Sequence, residues 1–131
     1  MRLPDGTVVL GRGVTVSLAP SPAPDFGLYL GVDAGATWEH VRLDWPDWWL
    51  PRDPEVAARA VADAYERARR GQRVEVACAG GRGRTGTVLA CMAIHAGVDP
   101  REAVAWTRRH HDPHAVETPW QRRWVRRYRP A

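Results

Sequence analysis

Apolar residues in the first third of the chain occur in short runs, and glycine or proline separates each run from the next. Several runs alternate apolar with polar positions, which is the period of a half-buried β-strand. The Pro-rich segment at residues 19–24 is only six residues long, so we interpret it as a connector between strands. The pattern predicts four strands, at residues 7–10, 14–18, 26–31 and 38–45.

Beyond residue 50 the apolar spacing changes to that of helices. A helix is predicted with Asp53 as N-cap, Pro54 at its first position and Gly71 at its end. A later helix is predicted to begin with a capping box of Asp99 and Glu102. This alternation favours an α/β fold, a single domain over residues 1–131 with a mostly parallel central sheet flanked by helices. The remaining predicted elements are a strand at 73–78 and helices at 84–97, 99–111 and 117–129.

Composition and charge agree with a compact domain that handles anions. The chain has 131 residues, 44% of them hydrophobic, a net charge of +4, and arginine at all nineteen of its Lys or Arg positions. Codon usage in a GC-rich genome would explain the arginine bias, yet such a surface attracts anions either way, and arginine suits bidentate contact with phosphate. Two cysteines make no disulfide framework, and no run resembles a signal peptide or membrane span. We therefore expect a reducing, cytoplasmic setting and no stable membrane association.

The lone thiol of Cys78 stands at the carboxyl end of a predicted strand, in the stretch CAGGRGRTG. Ligands of open α/β sheets bind at that edge. Glycines allow consecutive backbone N–H groups to face one anion, and the helix that follows adds its positive N-terminus. A free thiol has a pKa near 8.5, so the same loop that holds an oxyanion would also favour the reactive thiolate. Arg84 adds a fork of donors for two phosphoryl oxygens.

Cys78, five residues, then Arg84, Thr85 and Gly86 resemble the C-x5-R-[S/T]-G signature of the cysteine-dependent protein tyrosine phosphatase superfamily, in its small dual-specificity branch. The resemblance implies that fold and a phosphatase reaction in which Cys78 attacks phosphorus and forms a phosphocysteine. It implies that Arg84 stabilises the transferring group, that Thr85 hydrogen-bonds the sulfur, and that no cofactor or metal takes part. The implied phosphate-binding residues are Ala79, Gly80, Gly81, Arg82, Gly83 and Arg84.

A carboxylic acid must protonate the leaving oxygen in such a reaction. Trp45-Pro46-Asp47, 31 residues before Cys78, resembles the Trp-Pro-Asp loop of the superfamily. The resemblance implies that Asp47 acts as acid and then as base on the hydrolytic water. Without Cys78 downstream, a surface turn would be the simpler interpretation, and Asp44 is the nearest competing carboxylate.

The segment ETPWQ at residues 117–121 is similar to the water-positioning Q-T-x-x-Q segment of tyrosine phosphatases. Glu117 would replace the first glutamine and Gln121 would match the second. An ordinary helix start, with Thr118 as N-cap and Pro119 at the first position, is an equally good interpretation and is compatible with the first.

Departures from the family pattern keep alternatives open. Ala77 stands where the family usually has histidine, so a catalytically silent module that binds phosphate or phosphoprotein is one alternative. Arg82 occupies a position that is basic in phosphoinositide-directed members, so a phosphoinositide phosphatase is another. The low-molecular-weight tyrosine phosphatases place their cysteine near the N-terminus, which this chain does not. We expect the partner to be a phosphorylated protein or a small phosphoester.

Three histidines and an arginine-rich segment receive simpler interpretations. His110, His111 and His114 are close in sequence, but Pro113 would break the helix that could align them, so no metal site is predicted. The arginines after residue 121 are interpreted as a solvated helix face, because no nucleic-acid-reading motif accompanies them. A basic surface that binds nucleic acid or acidic lipid would show strongly salt-dependent retention without turnover.

Overall fold

A computed structural model describes residues 1–130, in which four parallel strands and four helices form one α/β domain. The predicted fold class is therefore confirmed. The elements along the chain are β1 (Leu10–Gly13), β2 (Phe26–Leu30), β3 (Glu39–Leu43), α1 (Pro54–Arg69), β4 (Val74–Cys78), α2 (Gly83–His95), α3 (Ala103–His110) and α4 (Pro119–Arg127).

The sheet has the strand order β1-β4-β2-β3, and every neighbouring pair is parallel. Gly13 is opposite Cys78, and Leu30 is opposite Leu43. The carboxyl ends of all four strands therefore meet at one edge, which is where parallel sheets bind ligands.

Alternate residues of the two central strands face the helices. Phe26, Leu28, Val74 and Val76 join the hydrophobic core with the fully buried residues of α2. The intervening side chains point to the other face of the sheet, where Glu75 accepts hydrogen bonds from Arg12 and from the Tyr29 hydroxyl. This buried network ties β1, β4 and β2 together beneath the edge that carries Cys78.

Two of the predicted strands in the N-terminal segment are misplaced. Residues 14–18 form a turn and irregular chain, and β1 begins at Leu10, the last residue of the predicted segment at 7–10, and ends before the predicted segment at 14–18. The sequence pattern missed β1 because two of its four residues are glycines, which weaken a strand assignment. A Cβ on Gly11 would lie 2.7 Å from Leu89 Cδ1, and one on Gly13 would lie 2.6 Å from the Gly80 carbonyl oxygen. These glycines allow close packing within the strand and do not mark its end.

Two predicted helix starts have different outcomes. The Asp53 carboxylate caps α1 at the Val56 amide, as predicted. The predicted capping box of Asp99 and Glu102 is wrong, because Asp99 accepts a hydrogen bond from the Arg101 amide in a turn that precedes α3.

Among residues 1–130, none of the helices combines the length and the apolar character that a membrane span requires.

Candidate active site

The signature loop, residues 78–84, joins the end of β4 to the start of α2. Cys78 is buried, and its sulfur accepts a hydrogen bond from the Gly81 amide at 3.2 Å. Gly81 has a φ of 76°, a left-handed conformation that folds the loop back over the sulfur. The first residues of α2 receive no side-chain cap from Arg82, so the positive helix end faces the loop.

Carbonyl groups of the signature loop are bound on its outer side. The Val14 amide donates to the Cys78 carbonyl at 2.9 Å, and Thr15 donates to the Ala79 carbonyl through both its amide and its hydroxyl. His111 Nε2 donates to the Gly81 carbonyl at 2.8 Å. In a trans peptide the N–H of the next residue points opposite to the carbonyl. The N–H groups that follow these three carbonyls therefore point away from Val14, Thr15 and His111. They are free to face an anion, as the backbone of an anion-binding loop must be.

Arg84 is almost fully buried, with a side-chain exposure of 4%. Its Nη1 donates to the Leu30 carbonyl at 2.9 Å and to the Trp45 carbonyl at 3.1 Å. Its Nε is buried without a hydrogen-bond partner, and so is the Thr85 hydroxyl. Buried polar atoms without partners are rare in native proteins and call for an explanation.

Gly31 lets the end of β2 approach Arg84. Its φ is 69°, and a Cβ at this position would meet the Trp45 carbonyl oxygen and would lie 2.6 Å from Arg84 Nη1. The carbonyl that holds the guanidinium and the guanidinium itself therefore occupy the space that a side chain would need.

The acid loop, residues 44–52, brings Asp47 to the same place. Asp47 Oδ1 lies 3.5 Å from Arg84 Nη2 and accepts a hydrogen bond from the Trp48 amide at 3.0 Å. Asp44, the competing carboxylate, is exposed and pairs with Arg52 at 3.1 Å. Only Asp47 of the two borders the cavity that contains Cys78.

This cavity has a volume of about 450 Å³ and lies between β1, the signature loop and the acid loop. Its lining includes the Cys78 thiol and the Asp47 carboxylate, and the Arg84 guanidinium lies 3.5 Å from that carboxylate. Its lining also includes Gly81, Arg82, His111 and Glu117.

Glu117 and Gln121 flank the signature loop at the start of α4. The Glu117 carboxyl lies beside Gly83, and its burial together with the charge of Asp47 raises its pKa above the ordinary value. The Gln121 amide is fully buried: its Oε1 accepts from the Glu117 and Thr118 amides, and its Nε2 donates to the Trp49 carbonyl. Thr118 caps α4 and Pro119 begins it, as the sequence predicted.

The remaining candidates from the sequence are Cys91 and the three histidines. Cys91 is fully buried in α2, and burial raises the pKa of its thiol well above the usual range. Within residues 1–130, no group of three His, Cys, Asp or Glu side chains is placed to hold a metal ion. His111 is the one histidine of its trio that contacts the signature loop, a role that its sequence neighbourhood did not indicate.

Sequence reasoning also missed the part that residues 13–15 play, since no motif marks them. Their contacts with the signature loop join segments more than sixty residues apart along the chain. The glycines of β1 are a signal for this close packing, but by local pattern alone they resemble breaks between strands.

Comparison with known proteins finds that this chain is similar to phosphatase domains. Residues 29–131 match the model of the family described as PTP-SAK: Swiss Army Knife protein, DSP-PTPase phosphatase domain. A curated relative, "Putative tyrosine phosphatase 067L" of Invertebrate iridescent virus 3, is 33% identical over 57 residues, which are 41% of this chain. The match covers 24% of the viral protein, so the chain spans only about a quarter of that relative's length.

Two solved structures share the fold. The crystal structure of Tk-PTP in the active form is 29% identical, with a TM-score of 0.67, and the match covers 78% of this chain and 76% of that one. Kinase associated phosphatase (KAP), with its catalytic-site cysteine substituted by serine, is 14% identical, with a TM-score of 0.63 over 76% of this chain and 65% of that one. The second likeness concerns the fold alone.

Proposed function

The chain belongs to the family of DSP-PTPase phosphatase domains, and from this membership we propose that it hydrolyses phosphate monoesters through a phosphocysteine intermediate. The proposed substrates are phosphotyrosine or other phosphorylated residues of a protein, or a small phosphoester. Residues 1–28, which precede the family match, supply β1 and the start of β2. We therefore treat residues 1–131 as one phosphatase domain.

In the first step, the thiolate of Cys78 attacks phosphorus, a P–S bond forms, and the P–O bond to the leaving group breaks. Asp47 transfers its proton to the departing oxygen, so the product leaves as a neutral alcohol or phenol. Arg84 and the signature-loop amides bind the equatorial oxygens, whose charge they balance.

In the second step, water attacks phosphorus, the P–S bond breaks, and inorganic phosphate is released. Asp47, now a carboxylate, accepts a proton from the water. The Thr85 hydroxyl donates a hydrogen bond to the departing sulfur and stabilises it as a thiolate. Each step conserves charge and needs no cofactor.

The single observation that carries this proposal is the pair of buried polar atoms without partners, Arg84 Nε and Thr85 Oγ1. Leaving such atoms unsatisfied costs about 1–3 kcal/mol each. A phosphoryl oxygen on Nε would satisfy the first atom. The Thr85 hydroxyl is not hydrogen-bonded to the Cys78 sulfur in this structure, and a phosphoryl oxygen, or the sulfur as it departs, would satisfy it. The neighbouring Nη1 is already held by two carbonyls, so the guanidinium fork is oriented before the substrate arrives.

Water positioning is proposed for Glu117, whose carboxyl lines the cavity together with that of Asp47. Gln121 is the second residue for which the sequence predicts this role. Both ends of its amide are bound to backbone groups, so it would have to release one of them to contact the water. A reducing, cytoplasmic setting is part of the proposal, since the mechanism needs Cys78 as a free thiol.

The silent binding module and the phosphoinositide phosphatase remain alternatives that one experiment distinguishes. The unsubstituted protein and Cys78→Ser are assayed for phosphate release from phosphotyrosine, phosphoserine and phosphothreonine peptides and phosphoinositides, and for vanadate binding. The proposal is supported if the unsubstituted protein releases phosphate from a phosphopeptide, Cys78→Ser does not, and vanadate binds in the separate binding assay. Vanadate binding without turnover of any substrate would favour the silent module, and turnover of phosphoinositides alone would favour the lipid substrate.

A further inference from the structure

We propose that Trp120 is a positioning residue that holds the acid loop, and with it Asp47, over the thiol of Cys78. This inference rests on the proposed function, because it assigns Trp120 a part in presenting the proton donor. Trp120 is not among the residues that line the cavity, and it acts through the backbone of the acid loop.

Two side chains at the start of α4 bind consecutive carbonyls of the acid loop. Trp120 Nε1 donates to the Trp48 carbonyl at 2.6 Å, and Gln121 Nε2 donates to the Trp49 carbonyl at 3.2 Å. The indole rings of Trp49 and Trp120 stack with their centroids 5.1 Å apart and an interplanar angle of 18°. Within the acid loop, Trp45 Nε1 donates a hydrogen bond of 2.8 Å to the same Trp49 carbonyl.

These rings are not part of the hydrophobic core. Trp48, Trp49 and Trp120 are 54%, 58% and 39% exposed. Burial of apolar area therefore provides only part of the reason for their arrangement, whereas a directed indole-to-carbonyl bond accounts for the geometry.

The backbone of Trp48 transmits this contact to the acid. Trp48 has a φ of 69°, which is uncommon for a bulky residue and persists only where surrounding contacts impose it. Its carbonyl accepts from Trp120, and its amide donates to Asp47 Oδ1 at 3.0 Å. One residue thus links the start of α4 to the carboxylate that lies 3.5 Å from Arg84.

The helix that carries Trp120 is firmly placed. Thr118 and Gln121 form a capping box at its N-terminus, and Val125 is buried in the core. Trp124 packs edge-on against the fully buried Trp45 ring, at a centroid distance of 5.8 Å. A contact from this helix can therefore restrain the loop, whereas a contact between two mobile segments could not.

The experiment compares Trp120→Phe with the unsubstituted protein and with Trp106→Phe as the matched control. Phenylalanine keeps a ring for stacking on Trp49 but lacks the indole N–H. Trp106 is a half-buried tryptophan of α3 that stacks on His110, outside the acid loop. Turnover is measured with phenyl phosphate, whose leaving group needs a proton, and with p-nitrophenyl phosphate, whose leaving group is stable as an anion. Hydrogen–deuterium exchange of residues 44–52 and vanadate affinity are measured on the same proteins.

For Trp120→Phe, kcat/KM on phenyl phosphate, which reports the step that releases the leaving group, should fall about two- to tenfold more than kcat/KM on p-nitrophenyl phosphate, the factor expected for losing one hydrogen bond. Exchange of residues 44–52 should become faster while vanadate affinity stays unchanged, and Trp106→Phe should change neither. Equal losses on both substrates, or exchange as slow as before, would overturn the positioning role. If the unsubstituted protein turns over neither substrate, the proposed function fails, and the exchange rates alone then decide whether Trp120 holds the loop.

Discussion

Gly31→Ala provides the sharpest test of how closely the end of β2 and Arg84 are fitted together, because the chain contains its own control. Gly31 and Gly35 have nearly the same positive φ, 69° and 64°. An alanine at Gly35 would meet nothing within 4 Å, whereas one at Gly31 would meet the Trp45 carbonyl and Arg84 Nη1. The difference between the two variants therefore isolates the contact with the site from the backbone strain.

The expected magnitudes follow from these two contributions. A left-handed conformation costs an L-residue about 1–2 kcal/mol, so Gly35→Ala should lower the free energy of unfolding by about that amount. Gly31→Ala adds an overpacking term of about 1–3 kcal/mol. Arg84 Nη1 would lie 2.6 Å from the new Cβ, while ordinary contact begins at 3.4 Å, so the guanidinium or the Trp45 carbonyl must shift. A displacement of about 1 Å in a catalytic group can reduce the rate by roughly 10²-fold.

The assay measures kcat for p-nitrophenyl phosphate and the affinity for inorganic phosphate at a temperature where circular dichroism shows both variants to be folded. Gly35→Ala should retain the turnover of the unsubstituted protein, and Gly31→Ala should lose roughly 10²-fold with weaker phosphate binding. If the two variants lose stability to different extents but keep the same kcat and the same phosphate affinity, the tight fit between Gly31 and Arg84 has no role in positioning the guanidinium.

Three further predictions concern the reacting groups. Cys78→Ser should abolish turnover while phosphate still binds, and Cys91→Ser should leave turnover nearly intact; activity in the first variant would exclude the phosphocysteine. Asp47→Asn should slow hydrolysis of phenyl phosphate by roughly 10²–10³-fold, and Asp44→Asn should do far less; the reverse order would mean that the acid is misassigned. The raised pKa of Glu117 means that its contribution to stability is present below its unfolded pKa and is lost as pH rises through its folded pKa. Urea unfolding should therefore show Glu117→Gln gaining stability relative to the unsubstituted protein between acidic and neutral pH, and a constant difference would contradict the raised pKa.

Helical spacing and capping chemistry allowed several elements to be predicted from the sequence. The helix from Pro54 to Arg69 and the strands β2 and β4 lie where their patterns predicted. These elements bury a regular stripe or a continuous run of apolar side chains, so their local sequence reflects their final environment. The capping box at Asp99 was wrong because the same spacing also suits a turn, and local spacing cannot distinguish the two.

The N-terminal strand could not be predicted for the opposite reason. Gly11 and Gly13 are required by the side chain of Leu89 and the backbone of Gly80, which are distant in the sequence. A glycine that is needed for close packing has the same local appearance as one that breaks a strand, and only the packed structure distinguishes them.

The sequence by itself was enough to predict the candidate reactive centre, because the thiol, the loop amides, the guanidinium and the helix start all belong to one contiguous stretch from Cys78 to Arg84. Chemistry that is confined to one loop leaves a pattern of residue types at set spacings. The tertiary structure alone decided that Gly31 makes room for the guanidinium and that Trp120 binds the acid loop, and it places Asp47, which the Trp-Pro-Asp resemblance implied, and not Asp44, beside Arg84. These contacts join β2, the acid loop, α2 and α4 across long sequence separations, and such pairings arise only when the strands align at one edge of the sheet and the helices pack against it.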